Sequence, residues 1–389
     1  RQEYGPADEP VPYAYHDLSG LSAAEQDRRV NELAAEHQAG LHLTDGPLVR
    51  AVHFGLGPDR PDRLLIVNHH LVVDAMSRGF LLEDLESLCD QLAEGQPPRL
   101  PARTTPYLEW AARLDALLRA GRFDAELDFW SEQGAGEAAV PVDHPGGRTA
   151  YGSSHTLRTA LTGPQTASVR SAARRLGMNV SDLLLTATAA ALADWTGEAR
   201  CGLAVAGHGR PDLAPDLDLS RTVGWFQVYY PLRLEVSARG LRLAEAVREQ
   251  LARVPHTGVG YGLLRYAHPD PSVRSRLAGL APAQVTFNYM GDFGFAATPH
   301  ASARFDVSEE IAGPPQDERG TWPYLLDVVP SVVDGRLLVE VNYSDQVHER
   351  RTVERFTDGL MARLTQLVRE ADERGLTDPA TEGNQRHAG

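Results

Sequence analysis

The stretch Val180–Thr196 limits the possible folds more than any other. It is rich in Ala and Leu, strong helix formers, and apolar side chains fall on nearly every face of the helix they would make. Such a helix has no side to offer to water and must be enclosed by other elements. Asn179 or Ser181 can cap its start. Around it the patterning alternates between types. Ser154–Leu161, Arg200–Ala206, Arg221–Leu234 and Ala283–Tyr289 read as strands, and Gly163–Leu176, Leu243–Arg253 and Val353–Ala371 as helices. Tyr324–Val333 and Arg336–Tyr343 read as a hairpin about Asp334-Gly335, a dipeptide suited to a two-residue turn. Upstream, Ser22–Gly40 is an amphipathic helix with Ser22 as N-cap and Gly40 as its stop. Pro47–Phe54 and Arg63–Asn68 are strands, and Met76–Leu92, Tyr107–Ala120 and Asp124–Gln133 are helices. Without strict βαβ alternation the fold class is α+β. A chain of 389 residues is too long for one simple core and suits two lobes. The Gly/Pro-rich stretch Gly134–Gly152 places their boundary, giving an N-terminal lobe at 1–140, a C-terminal lobe at 141–375 and a disordered polar tail at 376–389.

The net charge of −15 repels phosphate, so neither nucleic acid nor an anionic membrane surface is expected as a partner. Cys89 and Cys201 show neither metal spacing nor a disulfide framework and read as buried free thiols, which suits the cytoplasm. No apolar run is long enough for a membrane span, and no signal peptide is visible. Arg1-Gln2-Glu3-Tyr4 reads as the middle of a strand without an initiator Met, so the opening part of the first lobe is expected to be missing.

The stretch with most chemistry is Leu64-Leu65-Ile66-Val67-Asn68-His69-His70-Leu71-Val72-Val73-Asp74-Ala75. A strand delivers two histidines to its end, and a helix with an apolar face follows. Side chains alternate along a strand, so one histidine can face a cavity while the other is held in the body of the protein. Taken alone, the pair also suits two structural histidines satisfied by local hydrogen bonds. Trp225, Phe226, Tyr229 and Tyr230 lie at strand spacing, which puts half of them in the core. His42, His53 and His69 make no metal-ligand spacing with nearby carboxylates, so no metal is expected.

Further blocks carry a family resemblance. The His69–Asp74 stretch is similar to a His-His-x-x-x-Asp-Gly signature. Asp218-Leu219-Ser220-Arg221-Thr222-Val223-Gly224-Trp225-Phe226, Gly260-Tyr261-Gly262-Leu263-Leu264-Arg265-Tyr266 and Phe287-Asn288-Tyr289-Met290-Gly291 follow in order. Together they resemble the condensation superfamily of non-ribosomal peptide synthetases, and within it the epimerization domains. The resemblance implies two chloramphenicol-acetyltransferase-like lobes in a V with a central tunnel. It implies a peptidyl or acyl carrier protein and other synthetase modules as partners, with no tightly bound cofactor. The substrate would arrive as an aminoacyl or peptidyl thioester on the carrier's phosphopantetheine arm. His70 would be the general base. Tyr289 would hydrogen-bond the enolate or relay a proton. His69, Asp74 and Arg210 would support the site, Arg210 as partner of Asp74. Ala75, Ser77, His208, Trp225, Gln227 and Asn288 would line the tunnel, Asn288 in a structural role.

The sequence departs from the family pattern at the site. The glutamate of the family's "EGHGRE" block is Ala206, the signature glycine is Ala75, Arg78 stands where tryptophan is usual, and Gln227 replaces threonine. Alanine transfers no proton. The balance therefore favours a repurposed reaction of His70 on a carrier-bound thioester: amide or ester formation, cyclisation, elimination or release. The alternatives are a working epimerase with a substitute acid (Tyr289, His208 or water) and a non-catalytic carrier-docking domain. An acyltransferase using free coenzyme A is the outside reading.

Overall fold

A computed structural model describes the chain apart from residues 1, 7–8, 135–138, 212, 215, 293–304, 307, 309–312, 314–315 and 375–389. The expected tail at 376–389 lies outside the described residues. The chain divides into two compact units, Arg1–Thr104 with Ser220–Trp225 and His300–Asp317, and Thr105–Leu219 with Phe226–Pro299 and Glu318–Gly389.

The first unit holds strand β1 (Tyr13–Asp17), helix α1 (Ala23–Ala39), strands β2 (Val49–Gly55) and β3 (Arg63–Asn68), and helix α2 (Ala75–Ala93). The sheet order is β1-β2-β3, with β1 parallel and β3 antiparallel to β2. Helix α1 starts and stops where its sequence says. The Ser22 N–H donates to the Glu25 carboxylate at 3.1 Å, and the Gly40 N–H closes on the Glu36 carbonyl. Its apolar face sets Val30 and Leu33 against Leu18, Val52, Phe54 and Leu56. Gln26, buried beside them, donates to the carbonyls of Leu18 (3.1 Å) and Leu56 (2.9 Å), so its amide joins the strand end to the loop after β2.

The second unit adds α3 (Tyr107–Arg119), α4 (Leu127–Gln133), β4 (Ser154–Ala160), α5 (Gly163–Arg175), α6 (Val180–Thr196), β5 (Arg200–Gly207), β6 (Val228–Glu235), α7 (Leu241–Leu251), α8 (Val259–Gly262), α9 (Pro271–Ala278), β7 (Val285–Phe287), β8 (Leu326–Val333), β9 (Arg336–Ser344) and α10 (Arg350–Glu373). Its six strands run in the order β4-β9-β8-β7-β5-β6, with β7 parallel to both β5 and β8. The expected central helix is α6. Leu183, Leu184, Leu185 and Leu192 are buried in one core with Phe356, Leu360 and Leu364 of α10 and with Leu203, Val205, Phe287, Val328 and Val341 of the sheet. One sheet face is thus committed to the helices. The hairpin turn between β8 and β9 has positive φ at both central residues, 49° at Asp334 and 72° at Gly335, as a two-residue turn of this type requires.

Two expectations are corrected. The units do not part at residue 140, because α3 and α4 belong to the second. Leu118, Phe123 and Trp130 are buried in its large core, so the Gly/Pro-rich stretch after them is a connector within that unit. Nor is Arg221–Leu234, read as a strand pair or one long strand, paired throughout. Only Val228–Glu235 pairs, and Ser220–Trp225 packs into the first unit instead. Cys201 is buried and Cys89 half-buried, and both are free thiols. No single helix among the described residues is long and apolar enough to cross a membrane.

Candidate functional site

In the first unit the histidine pair occupies a tight turn between β3 and α2. The His69 N–H donates to the Leu48 carbonyl at 2.8 Å, and the Val72 N–H returns to the His69 carbonyl at 3.0 Å. His69 Nδ1 accepts the Leu71 N–H at 3.1 Å. That bond fixes the neutral ring with its proton on Nε2. His69 is therefore held in the turn, half-buried. His70 is exposed, and among the described residues its imidazole makes no hydrogen bond. Its ring rests against Trp225, 5.2 Å between centroids and tilted by 47°.

The turn is secured from below. Asp74 is buried and caps α2, its carboxylate accepting the Ser77 N–H at 2.7 Å, while its own N–H donates to the Gly224 carbonyl at 3.0 Å. Ser77, expected among the tunnel residues, is wholly buried. Its hydroxyl donates to the Gly224 carbonyl at 3.0 Å and accepts the Gly224 N–H at 3.1 Å. Arg221 reaches Glu83 (2.7 Å) and Asp84 (2.6 Å) of α2, and Thr222 bonds Thr104 at 2.9 Å. These bonds hold Trp225 under His70. Asp74→Ala is expected to cost about 1–2 kcal/mol in urea unfolding, towards the upper end because the buried Ser77 N–H loses its acceptor. Asp74→Asn should retain most of that stability. An Ala variant as stable as the wild type would contradict the capping role. Ala75 is the first residue of α2, half-buried.

In the second unit β5 runs into the turn Gly207–Arg210. His208 is exposed, and its Nδ1 accepts the Arg210 N–H at 3.1 Å. Arg210 donates to the Leu219 carbonyl at 2.8 Å and lies 3.7 Å from the centroid of the Phe226 ring. Ala206 stands on the sheet face turned away from the helices, paired with Tyr229 of β6. Gln227 donates to the Asn288 side-chain oxygen at 3.2 Å.

Asn288 and Tyr289 take opposite faces of the extended segment after β7. Beyond β7 the extended pairing continues, with Asn288 N–H on the Val328 carbonyl and Met290 N–H on that of Pro330. Phe287 is buried in the core, so alternation turns Tyr289 to that side as well. There burial, then Asp292, holds the Tyr289 phenol above its ordinary pKa. Asn288 takes the face of Ala206.

The same face carries Tyr229, one of the four aromatics, and Asp327, which the sequence does not single out as a site residue. Asp327 of β8 accepts from the Thr286 hydroxyl and, at 3.2 Å, from the Asn342 amide, whose oxygen accepts from Thr156 at 2.7 Å. Burial raises the pKa of its carboxyl. Tyr229 keeps 37% of its surface exposed, yet sits deep enough that burial, followed by the charge of Asp327, pushes its phenol up to about 12. Phe226 and Tyr230 are buried, whereas Trp225 and Tyr229 are not.

The mixed α+β units and the histidine turn place the molecule among known proteins. The chain belongs to the condensation domain family, whose model matches residues 2–377. It is 37% identical over 367 residues to a linear gramicidin synthase of Brevibacillus parabrevis, covering 92% of this chain and 5% of that protein. It is 41% identical over 346 residues to a chondramide synthase of Chondromyces crocatus, covering 87% of this chain and 9% of that one. The chain thus spans under a tenth of either relative. Among solved structures it is similar to the epimerization domain from the third module of tyrocidine synthetase B, with a TM-score of 0.84 and 29% identity over 95% of this chain and 81% of that one.

Proposed function

We propose that the chain is an epimerization-type domain of non-ribosomal peptide synthesis. It acts on an aminoacyl or peptidyl thioester held on the phosphopantetheine arm of a carrier protein, and His70 removes the α-proton. The observation that carries this reading is the contrast within the histidine pair. His69 is tied into the turn, while His70 is presented on a rigid support with both ring nitrogens free of hydrogen bonds among the described residues. A neutral imidazole is a suitable base near pH 7, and the thioester makes the α-proton acidic enough to remove. His69 and Asp74 hold the turn, and Trp225 limits the sweep of the His70 ring.

The test is incubation in deuterium oxide with carrier protein loaded with an L-aminoacyl or L-peptidyl group. Deuterium at the α-carbon, with D and L products, is the expected result. No exchange across a broad substrate panel would sink the reading and leave carrier docking alone. Ala206 favours a second reading, a repurposed reaction such as cyclisation or release, which the same experiment would reveal as a new product freed from the carrier.

A further inference from the structure

We infer that Tyr13 is an acyl-acceptor nucleophile for activated carboxylic esters, with His53 as its base and Asp62 as the residue that positions the base. All three belong to the first unit, and none takes part in the reaction proposed for His70. The parity of the β1–β2 pair brings them together. Val52 and Phe54 are buried against α1, so His53 between them projects from the opposite sheet face. Tyr15 is the partner of His53 across the parallel pair, and Tyr13, two residues earlier, shares that face.

The three side chains form a chain of hydrogen bonds. The Tyr13 hydroxyl lies 3.2 Å from His53 Nδ1, and His53 Nε2 lies 2.8 Å from Asp62 Oδ2. The other Asp62 oxygen accepts the Leu56 N–H at 2.9 Å, which fixes the carboxylate just beyond β2. That N–H, then the His53 bond, hold the Asp62 carboxyl below its ordinary pKa, so at neutral pH it can only accept. The neutral ring then carries its proton on Nε2 and offers the Nδ1 lone pair to the phenol. Tyr15 meets the ring edge-on, 5.0 Å between centroids, which limits its rotation. A hydroxyl within hydrogen-bond reach of a base that a third group orients is the arrangement that activates a nucleophile. Tyr13 is 57% exposed, so an acyl donor can approach it.

The step balances with the ester as the only co-reactant. The Tyr13 oxygen attacks the acyl carbon as its proton passes to His53 Nδ1. A new bond forms between that oxygen and the acyl carbon, and the bond from the acyl carbon to the leaving oxygen breaks with its electron pair. The imidazolium gives its proton to the leaving group or to solvent. The product is an aryl ester at Tyr13. Asp62 touches neither reacting atom and acts by orienting the ring.

The probe is p-nitrophenyl acetate, with acetylated residues located by peptide mass spectrometry. The chain contains no lysine, so no side-chain ammonium competes for the label. Tyr266 is the internal reference. At 72% exposure it is the more accessible phenol, and among the described residues its hydroxyl makes no hydrogen bond. Tyr13 should be acetylated about 100-fold faster than Tyr266, and His53→Ala should remove that advantage. Asp62→Asn should lower the Tyr13 rate by about tenfold or more and move the His53 proton towards Nδ1 in nitrogen NMR. Equal rates at Tyr13 and Tyr266, no label at Tyr13, or a Tyr13 rate unchanged by His53→Ala overturns the inference. An Asp62→Asn variant with the wild-type rate and tautomer overturns the role of Asp62. Unfolding midpoints and Tyr266 rates within error of the wild type keep the comparison free of folding effects.

Discussion

His70→Ala is expected to lower α-proton exchange on carrier-bound substrate by about 10²–10⁴-fold, the usual worth of a positioned acid or base. Stability should hardly change, because the side chain is exposed and among the described residues its ring contact is with Trp225. The measurement is deuterium incorporation by mass spectrometry, paired with a urea unfolding curve. Exchange at the wild-type rate in the variant would dismiss His70 as the base. His69→Ala, by contrast, removes the acceptor of the Leu71 N–H and should impair exchange by loosening the turn.

Gly209→Ala should be the most damaging small substitution near the site. Gly209 has φ of +66°, and a Cβ built there would lie 1.5 Å from the Phe226 carbonyl oxygen. The left-handed conformation costs roughly 1 kcal/mol for alanine, and the clash cannot be relieved without moving backbone. A loss of about 3 kcal/mol or more is expected, with displacement of the His208–Arg210 turn. Thermal or urea unfolding checks it, and a midpoint equal to the wild type would show that the turn can be rebuilt without cost.

Much of the fold is readable in the residues, for identifiable reasons. The cap at Ser22 and the Asp334-Gly335 turn are local, so nearest neighbours along the chain decide them, and the all-round apolar pattern of Val180–Thr196 already demands enclosure. The histidine turn is also legible, since spacing alone puts Asp74 where a helix must begin. The unit boundary is not, because Leu118 and Trp130 choose their core through contacts distant in sequence. The parity of Tyr289 lies in the residues too. Val285 and Phe287 are apolar and alternate with Thr286 and Asn288, which already assigns Tyr289 to the core side. Asp327 leaves a signal as well, as a lone carboxylate inside an otherwise apolar strand.

The return of Ser220–Trp225 to the first unit has a consequence for how the protein is made. Synthesis runs from the N-terminus, and domains tend to fold as they emerge. Here the ribosome completes β3, the histidine turn and α2 more than a hundred residues before it delivers Gly224 and Trp225. Until then the bonds between Ser77 and Gly224 cannot form, and Trp225 is not yet beside His70. The histidine turn is therefore completed late, after α3 to β5 have been synthesised. A fragment ending at Thr104 would carry both histidines and still lack Gly224 and Trp225, which secure the turn from below.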